Sequence, residues 1–250
     1  MLTGMSTATT ALTAFQTSVE ATANNLANAN TTAFKRSIVD FQDLISSGPS
    51  SAQVGHGVRV SDISTRDFRQ GAELNTGVEL DLSVSGNGFF TVQQSDGSTK
   101  YTRDGSFQRD ALGRMVTATG LIVQPPITFP ADTVSTMISS EGVVSVVTGS
   151  APGEIKVLGQ IQLTSFANPA GLKQEGNNLY SETPASGLPT TGIAGTNGLG
   201  AIKQRSLEQS NVDLTTEMTS LVTAQRAYGA NSRVVKTADE IVSSALSLVR

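Results

Sequence analysis

The side chains able to do acid–base or metal chemistry are few in this sequence, and they do not cluster. Cysteine is absent, which removes disulfides and thiolate metal sites. The single histidine, His56, stands in a Ser/Gly-rich run; a lone histidine there reads as a solvated polar residue rather than a base or ligand. A Ser-His-Asp triad would need His56, and no G-x-S-x-G nucleophile elbow is present. Asp96, Asp104 and Asp110 fall at turn signals, where aspartate serves the backbone. The glycine-rich Gly195-Thr196-Asn197-Gly198-Leu199-Gly200 follows a proline loop rather than a strand, so it makes a weak phosphate cradle. No catalytic, metal or cofactor-binding set is therefore expected, no cofactor is implied, and the chain reads as a non-enzyme.

With chemistry this sparse, the regular patterns carry the information. The 250 residues suffice for one or two domains with a proper core. A net charge of −4 and the absence of any long basic run give no footprint for nucleic acid. No run reaches the ~18 apolar residues of a membrane span, so no membrane insertion is expected. The start, MLTGMSTATTALTAF, has neither a basic region nor an apolar one of the kind that marks a cleaved signal peptide.

The most regular patterns lie at the two ends. From about Met5 to Asn28, the residues Met5, Ala8, Leu12, Phe15, Val19, Thr22 and Leu26 recur at spacings of three and four, the seam of a helix that pairs with another. From about Asn211 to Leu248 there is no proline, and Leu214, Met218, Leu221, Tyr228, Val235, Val242, Leu246 and Val249 continue such a series, with Gln225, Ser232 and Asp239 as polar seam positions. A helix this long spans about 57 Å at 1.5 Å per residue, a length that suggests a coiled coil. Ser210 with Asp213 resembles a capping box and places its start. Gly229, mid-helix, suggests a bend or a close crossing.

Between the helices the period changes. Leu80, Leu82 and Val84 alternate with polar residues as in a half-buried strand. Phe89, Phe90 and Val92, then Asp96-Gly97, then Tyr101 read as a hairpin. Further turn signals at Asp104-Gly105, Gly113, Glu141-Gly142 and Gly159 separate short apolar runs, the mark of an antiparallel sandwich or irregular barrel. Residues 46–57 and 184–200 read as links. The expected fold class is α+β: long N- and C-terminal helices forming a coiled-coil-like terminal domain, with a central antiparallel β-rich domain. The expected division is 1–36 with 205–250, an extended linker or hairpin over 37–75, and the β-rich part over 76–204.

The stretch Ala23-Asn24-Asn25-Leu26-Ala27-Asn28-Ala29-Asn30-Thr31-Thr32-Ala33-Phe34-Lys35-Arg36 resembles the signature of the bacterial flagellar rod and hook protein family. Its asparagines suit a helix end, and Phe34 suits an anchor for the departing chain. The family usually has glycine at the position of Ala33 and often glutamate at that of Gly229. Ser210-Asn211-Val212-Asp213-Leu214 and Ala224-Gln225-Arg226-Ala227-Tyr228, with Asn231, resemble the family's closing helix. Tyr101-Thr102-Arg103-Asp104-Gly105-Ser106-Phe107, Val123-Gln124-Pro125-Pro126-Ile127, Gly159-Gln160-Ile161-Gln162-Leu163 and Gly176-Asn177-Asn178-Leu179-Tyr180 are similar to its distal rod members. Gly57-Val58-Arg59-Val60 with Gly71 is closer to hook members, whose extra outer domain does not fit in 250 residues.

The resemblance implies a structural subunit of the basal body. It would leave the cell unfolded through the flagellar type III channel without a cleaved signal and would work in the periplasmic space. It implies a homo-oligomer, a helical tube that transmits torque and lines the export channel. Proximal rod subunits, hook subunits and surrounding ring proteins would be its partners. Subunit packing falls on Leu12, Phe15, Val19, Leu26, Leu214, Met218, Leu221, Tyr228, Val235 and Val242. The family motif falls on Asn24, Asn25, Leu26, Asn28, Asn30, Phe34, Lys35, Gln225, Arg226 and Asn231. A proximal rod or short hook-like subunit of the same family stays open. So does, from another class, a rod-associated peptidoglycan hydrolase using a turn carboxylate such as Asp104.

Overall fold

The structure, a computed structural model, describes residues 2–45, 55–60, 65–150 and 154–248. Most of the Ser/Gly-rich link read at 46–57 lies outside the described residues; its last part, Gly55 to Gly57, opens a strand. His56 is thus on a strand backbone rather than in a loop. The chain divides into two compact units, one of residues 1–29, 36–67 and 212–250, the other of 30–35 and 68–211.

The first unit contains the two long helices. Helix α1, Leu2–Ala27, ends in the asparagine run: the Asn28 side-chain amide folds back to donate to the Asn24 carbonyl at 2.9 Å and its Oδ1 at 2.8 Å. Helix α2, Leu214–Leu248, begins at Asp213, whose Oδ1 accepts from the backbone N–H groups of Thr215 at 2.8 Å and Thr216 at 3.2 Å. The cap is therefore Asp213 and not Ser210: a carboxylate directly before the first turn reaches its free N–H groups, and one residue suffices. The helices pack on each other. A hairpin of Phe41–Ile45 and Gly55–Val60 lies in the same unit, the second strand against α1. Phe15 meets Phe41 there, ring centroids 5.7 Å apart.

The second unit is the β-rich one, and all its strand pairings are antiparallel. Its largest sheet runs Lys173–Gly176, Leu179–Ser181, Thr99–Thr102, Phe89–Gln93, Ile122–Gln124, Met115–Thr117, Phe107–Arg109, and Gln162–Ser165 also pairs with Phe89–Gln93. The Asp96-Gly97 hairpin forms as expected, with Gly97 at φ +86° and the Asp96 carboxylate accepting from the Ser98 N–H. A second sheet joins Thr133–Ile138, Val143–Thr148 and Ile155–Gln160. Leu82, Val84, Phe90, Val92, Met115, Val123, Ile127, Val144, Val146, Ile161 and Leu163 fill the core. A smaller aromatic cluster joins Phe89, Tyr101, Phe166 and Tyr180.

Two expectations change here. Leu82–Ser85 is not half-buried, because Ser83 is as buried as Leu82 and Val84; the strand pairs with Ala201–Gln204 inside the unit. Residues 184–200 are no link. Thr190–Ile193 pairs with Gln162–Ser165, and Ser186, Ala194 and Leu199 are buried. Glycines there serve positive-φ turns at Gly195 and Gly198, which composition alone does not distinguish from flexibility.

Candidate assembly surface

The side chains that α1 and α2 bury completely are small or polar: Ala8, Ala11, Ala14, Thr22 and Asn25 on α1, Glu217 and Ala224 on α2. The large residues singled out for packing lie beside this seam. Leu12, Phe15, Val19 and Leu26 on α1 are half-buried, as are Leu221 and Val235 on α2. Leu214, Met218 and Tyr228 are 50%, 54% and 42% exposed, and Val242 is exposed too. Alternating alanines let the helix backbones approach closely, and close approach pushes the bulkier neighbours to the flanks. The result is a pair of helices on which Leu214, Met218, Tyr228 and Val242 of α2 stand exposed while the other large apolar side chains are partly covered. Isolated exposed apolar residues are ordinary on a protein surface, but a row of them along one helix marks an interaction face. Pattern reading missed Val222, Val234 and Ile241, also exposed on α2; the heptad spacing of Val234 and Ile241 was the available signal.

One open groove of about 380 Å³ lies between the helices, lined by Gln16, Val19, Glu20, Gln225 and Tyr228. Gly229 makes no close crossing within the chain, since a Cβ added there would meet nothing within 4 Å. Within the family motif, Asn24, Asn30, Gln225 and Arg226 are exposed, and Asn231 donates its side-chain amide to the Ala227 carbonyl at 3.0 Å. Asn25 does more than end a helix. Its Nδ2 donates to the Ser37 carbonyl at 2.9 Å and to Glu217 Oε2 at 3.2 Å, and its Oδ1 accepts from the Ser37 N–H at 2.8 Å. Arg36 Nη1 donates to Glu217 Oε1 at 3.3 Å.

Phe34 and Lys35 belong to the β-rich unit, both buried. Lys35 Nζ donates to Glu208 Oε1 at 2.6 Å and to the Arg69 carbonyl at 2.8 Å, with the ion pair fully excluded from water. Arg103 Nη1 lies 3.5 Å from the other Glu208 oxygen, and the Gly71 N–H donates to Oε1 at 2.9 Å. Burial pulls the pKa of the Arg103 guanidinium below its ordinary range, and the Glu208 charge opposes that shift. Ala33 holds φ +55°, a left-handed conformation that favours glycine, and its N–H donates to the Glu208 carbonyl at 2.8 Å. Asn178, at positive φ in the Gly176–Tyr180 motif, donates its amide to the Thr32 carbonyl at 2.8 Å. Glu208 and Glu217 escaped the sequence reading. Their signal was charge pairing: two adjacent cations after α1, and two carboxylates flanking the start of α2.

Asp104 accepts from the Ser106 N–H at 3.1 Å and its hydroxyl at 2.9 Å, and Asp110 from the N–H groups of Leu112 and Arg114, so both hold turns. The glycine run at 195–200 spends its amides internally, Gly200 N–H on the Asn87 carbonyl and Gly195 N–H on that of Gly200. Among the described residues no group of three His, Asp or Glu is placed to hold a metal ion, and no helix is long and apolar enough to cross a membrane.

Three family models match the chain in order: "Flagella basal body rod protein" over residues 5–35, "Flagellar hook protein FlgE/F/G D1 domain" over 83–146, and "Flagellar basal body rod FlgEFG protein C-terminal" over 203–248. The flagellar basal-body rod protein FlgG of Borreliella burgdorferi is 40% identical, the match covering 100% of both chains. The FlgG of Agrobacterium fabrum is 41% identical over 94% of this chain and 95% of its own. The flagellar hook protein FlgE of Salmonella typhimurium is 24% identical, covering 97% of this chain in an alignment 404 residues long, so it carries long insertions that this chain lacks.

Proposed function

The chain belongs to the flagellar basal-body rod protein family, and from that premise we propose how its two ends build a tube. It is a structural subunit of the distal rod, located in the flagellar basal body, and not an enzyme. The helix pair acts as a coiled-coil-like unit whose uncovered apolar flanks pack against the helices of adjacent copies. Leu12, Phe15, Val19, Leu26, Leu214, Met218, Leu221, Tyr228, Val235 and Val242 are the contact residues. Head-to-tail contacts of this kind do not close on themselves and generate a filament. The resulting wall transmits torque to the hook and bounds the export channel, with proximal rod subunits, hook subunits and the surrounding ring proteins as neighbours. The subunit reaches the growing tip unfolded.

The observation that supports this reading is the division along the helices: the fully buried apolar side chains are alanines, while Leu214, Met218, Tyr228 and Val242 stand exposed on α2. Taking a large apolar side chain from full exposure to full burial is worth roughly 1.5–3 kcal/mol; Leu214, Met218 and Tyr228 start about half exposed, so each offers roughly half of that against the ordering cost of assembly. Met218→Asp tests it, because Met218 is exposed in the chain and its loss costs the single subunit little. The variant is expected to keep its near-ultraviolet circular dichroism, dominated by the buried Tyr101 and Tyr180 of the β-rich unit, and to form no tubes by electron microscopy at concentrations where the parent does. Normal tubes from Met218→Asp overturn the assignment of this face.

A further inference from the structure

Helices α1 and α2 run antiparallel. Asn25 meets Glu217, whereas Gln16, Val19 and Glu20 share a groove with Gln225 and Tyr228, so contacts climb α2 as they descend α1. The apolar side chains that the two helices bury fully are alanines, Ala8, Ala11, Ala14 and Ala224. Methyl groups at helical spacing fit one another almost as well after a slip of one turn, about 5.4 Å, as before it. An alanine seam holds two helices together but sets their axial alignment weakly.

The buried polar groups of the same unit tolerate no such slip. Asn25 is locked to the Ser37 backbone by reciprocal bonds of 2.8 and 2.9 Å, which makes it an immobile reference. Its remaining donor reaches Glu217, a buried carboxylate in the first turns of α2 whose other oxygen accepts from Arg36. Sliding α2 by one turn withdraws Glu217 from both donors and leaves a desolvated charge, a penalty much larger than that of shifted methyl contacts. We propose that Asn25 and Glu217 are the positioning pair that fixes the axial register of α1 against α2, and with it the arrangement of the apolar flanks. A single polar group inside an apolar helix seam is a known device for specifying register at some expense of stability. The inference concerns the isolated chain and stands whether or not the flanks pack on other copies.

The chain has no cysteine, so an introduced pair reports alignment without background. Glu20→Cys with Gln225→Cys joins residues lining the same groove, and a slip of one turn brings Gly229 to the place of Gln225, so Glu20→Cys with Gly229→Cys reports the slipped register. In the parent background a short bifunctional thiol reagent is expected to cross-link the first pair in preference to the second. In the Glu217→Met background, which keeps the Asn25–Ser37 bonds, the helical circular dichroism is expected to persist while the ratio of first to second cross-link falls by roughly tenfold or more. Glu217→Gln retains an acceptor for Asn25 and is expected to restore the ratio. An unchanged ratio in Glu217→Met overturns the proposal. Loss of the helical signal in that variant overturns it too, because the pair would then supply stability rather than alignment.

Discussion

Glu208 accepts from Lys35 at 2.6 Å and lies 3.5 Å from Arg103, all three side chains being buried. Removing the carboxylate leaves two cations in a low-dielectric interior without their shared counter-ion, which typically costs about 3–5 kcal/mol. Glu208→Ala is expected to lower the stability of the β-rich unit by that amount in urea unfolding followed by tyrosine signals. Replacing the ion pair by matched apolar residues would cost far less, so the effect belongs to the orphaned charges and not to the worth of the bridge. Ala33 presents the opposite case, a backbone constraint with no charge. A Cβ at φ +55° is already strained by about 1–2 kcal/mol, and a β-branched side chain adds crowding at a buried position. Ala33→Val is expected to destabilise by more than about 2 kcal/mol, whereas Ala33→Gly stays within about 1 kcal/mol of the parent, strain relief offsetting the lost methyl. Denaturation midpoints of the two variants separate these outcomes.

At the scale of the element, α2 is longer than its own contacts require. Its mean composition is weakly apolar, its cap is one aspartate, and its buried residues are few, Glu217 and Ala224 among the described ones. Gly229 sits mid-helix with open space where a Cβ would be. Gly229→Ala is therefore expected to raise helix stability by about 1 kcal/mol, read as a higher urea midpoint of the 222 nm signal in the isolated chain. The helices were legible in the sequence because a spacing of three and four over such lengths is hard to produce otherwise, and α2 came within a few residues of its observed start. What the pattern concealed was which side of each helix is innermost. Leu12 and Tyr228 were placed on the seam, yet Ala11 and Ala224 are the residues fully buried. Hydrophobicity scales rank leucine above alanine, whereas helix–helix approach rewards the smaller side chain.

For the whole molecule, the two units differ in what holds them. The β-rich unit has a continuous core from Leu82 to Ile202 and an aromatic cluster around Phe89 and Tyr180. The helical unit relies on methyl contacts, the Phe15–Phe41 ring pair and the Asn25–Glu217–Arg36 bonds. Unfolding of the isolated chain is accordingly expected in two steps: helical signal at 222 nm lost at lower urea than the near-ultraviolet signal of Tyr101 and Tyr180. A single coincident transition would contradict that ranking. In the assembled state the order is expected to close up, because binding to the folded form alone stabilises the helices.

The sequence by itself determined the two terminal helices, the antiparallel middle and, through its end motifs, the family. These are properties of spacing and local composition, which survive without knowledge of what lies across the fold. Only the tertiary structure decided that Lys35 and Glu208 share one buried site, that Asn25 binds Ser37 and Glu217, that residues 190–193 form a strand, and that Leu214, Met218 and Tyr228 stand exposed. Each of those depends on groups far apart in the chain meeting at a few ångströms, and pairwise meeting of that kind leaves no periodic trace.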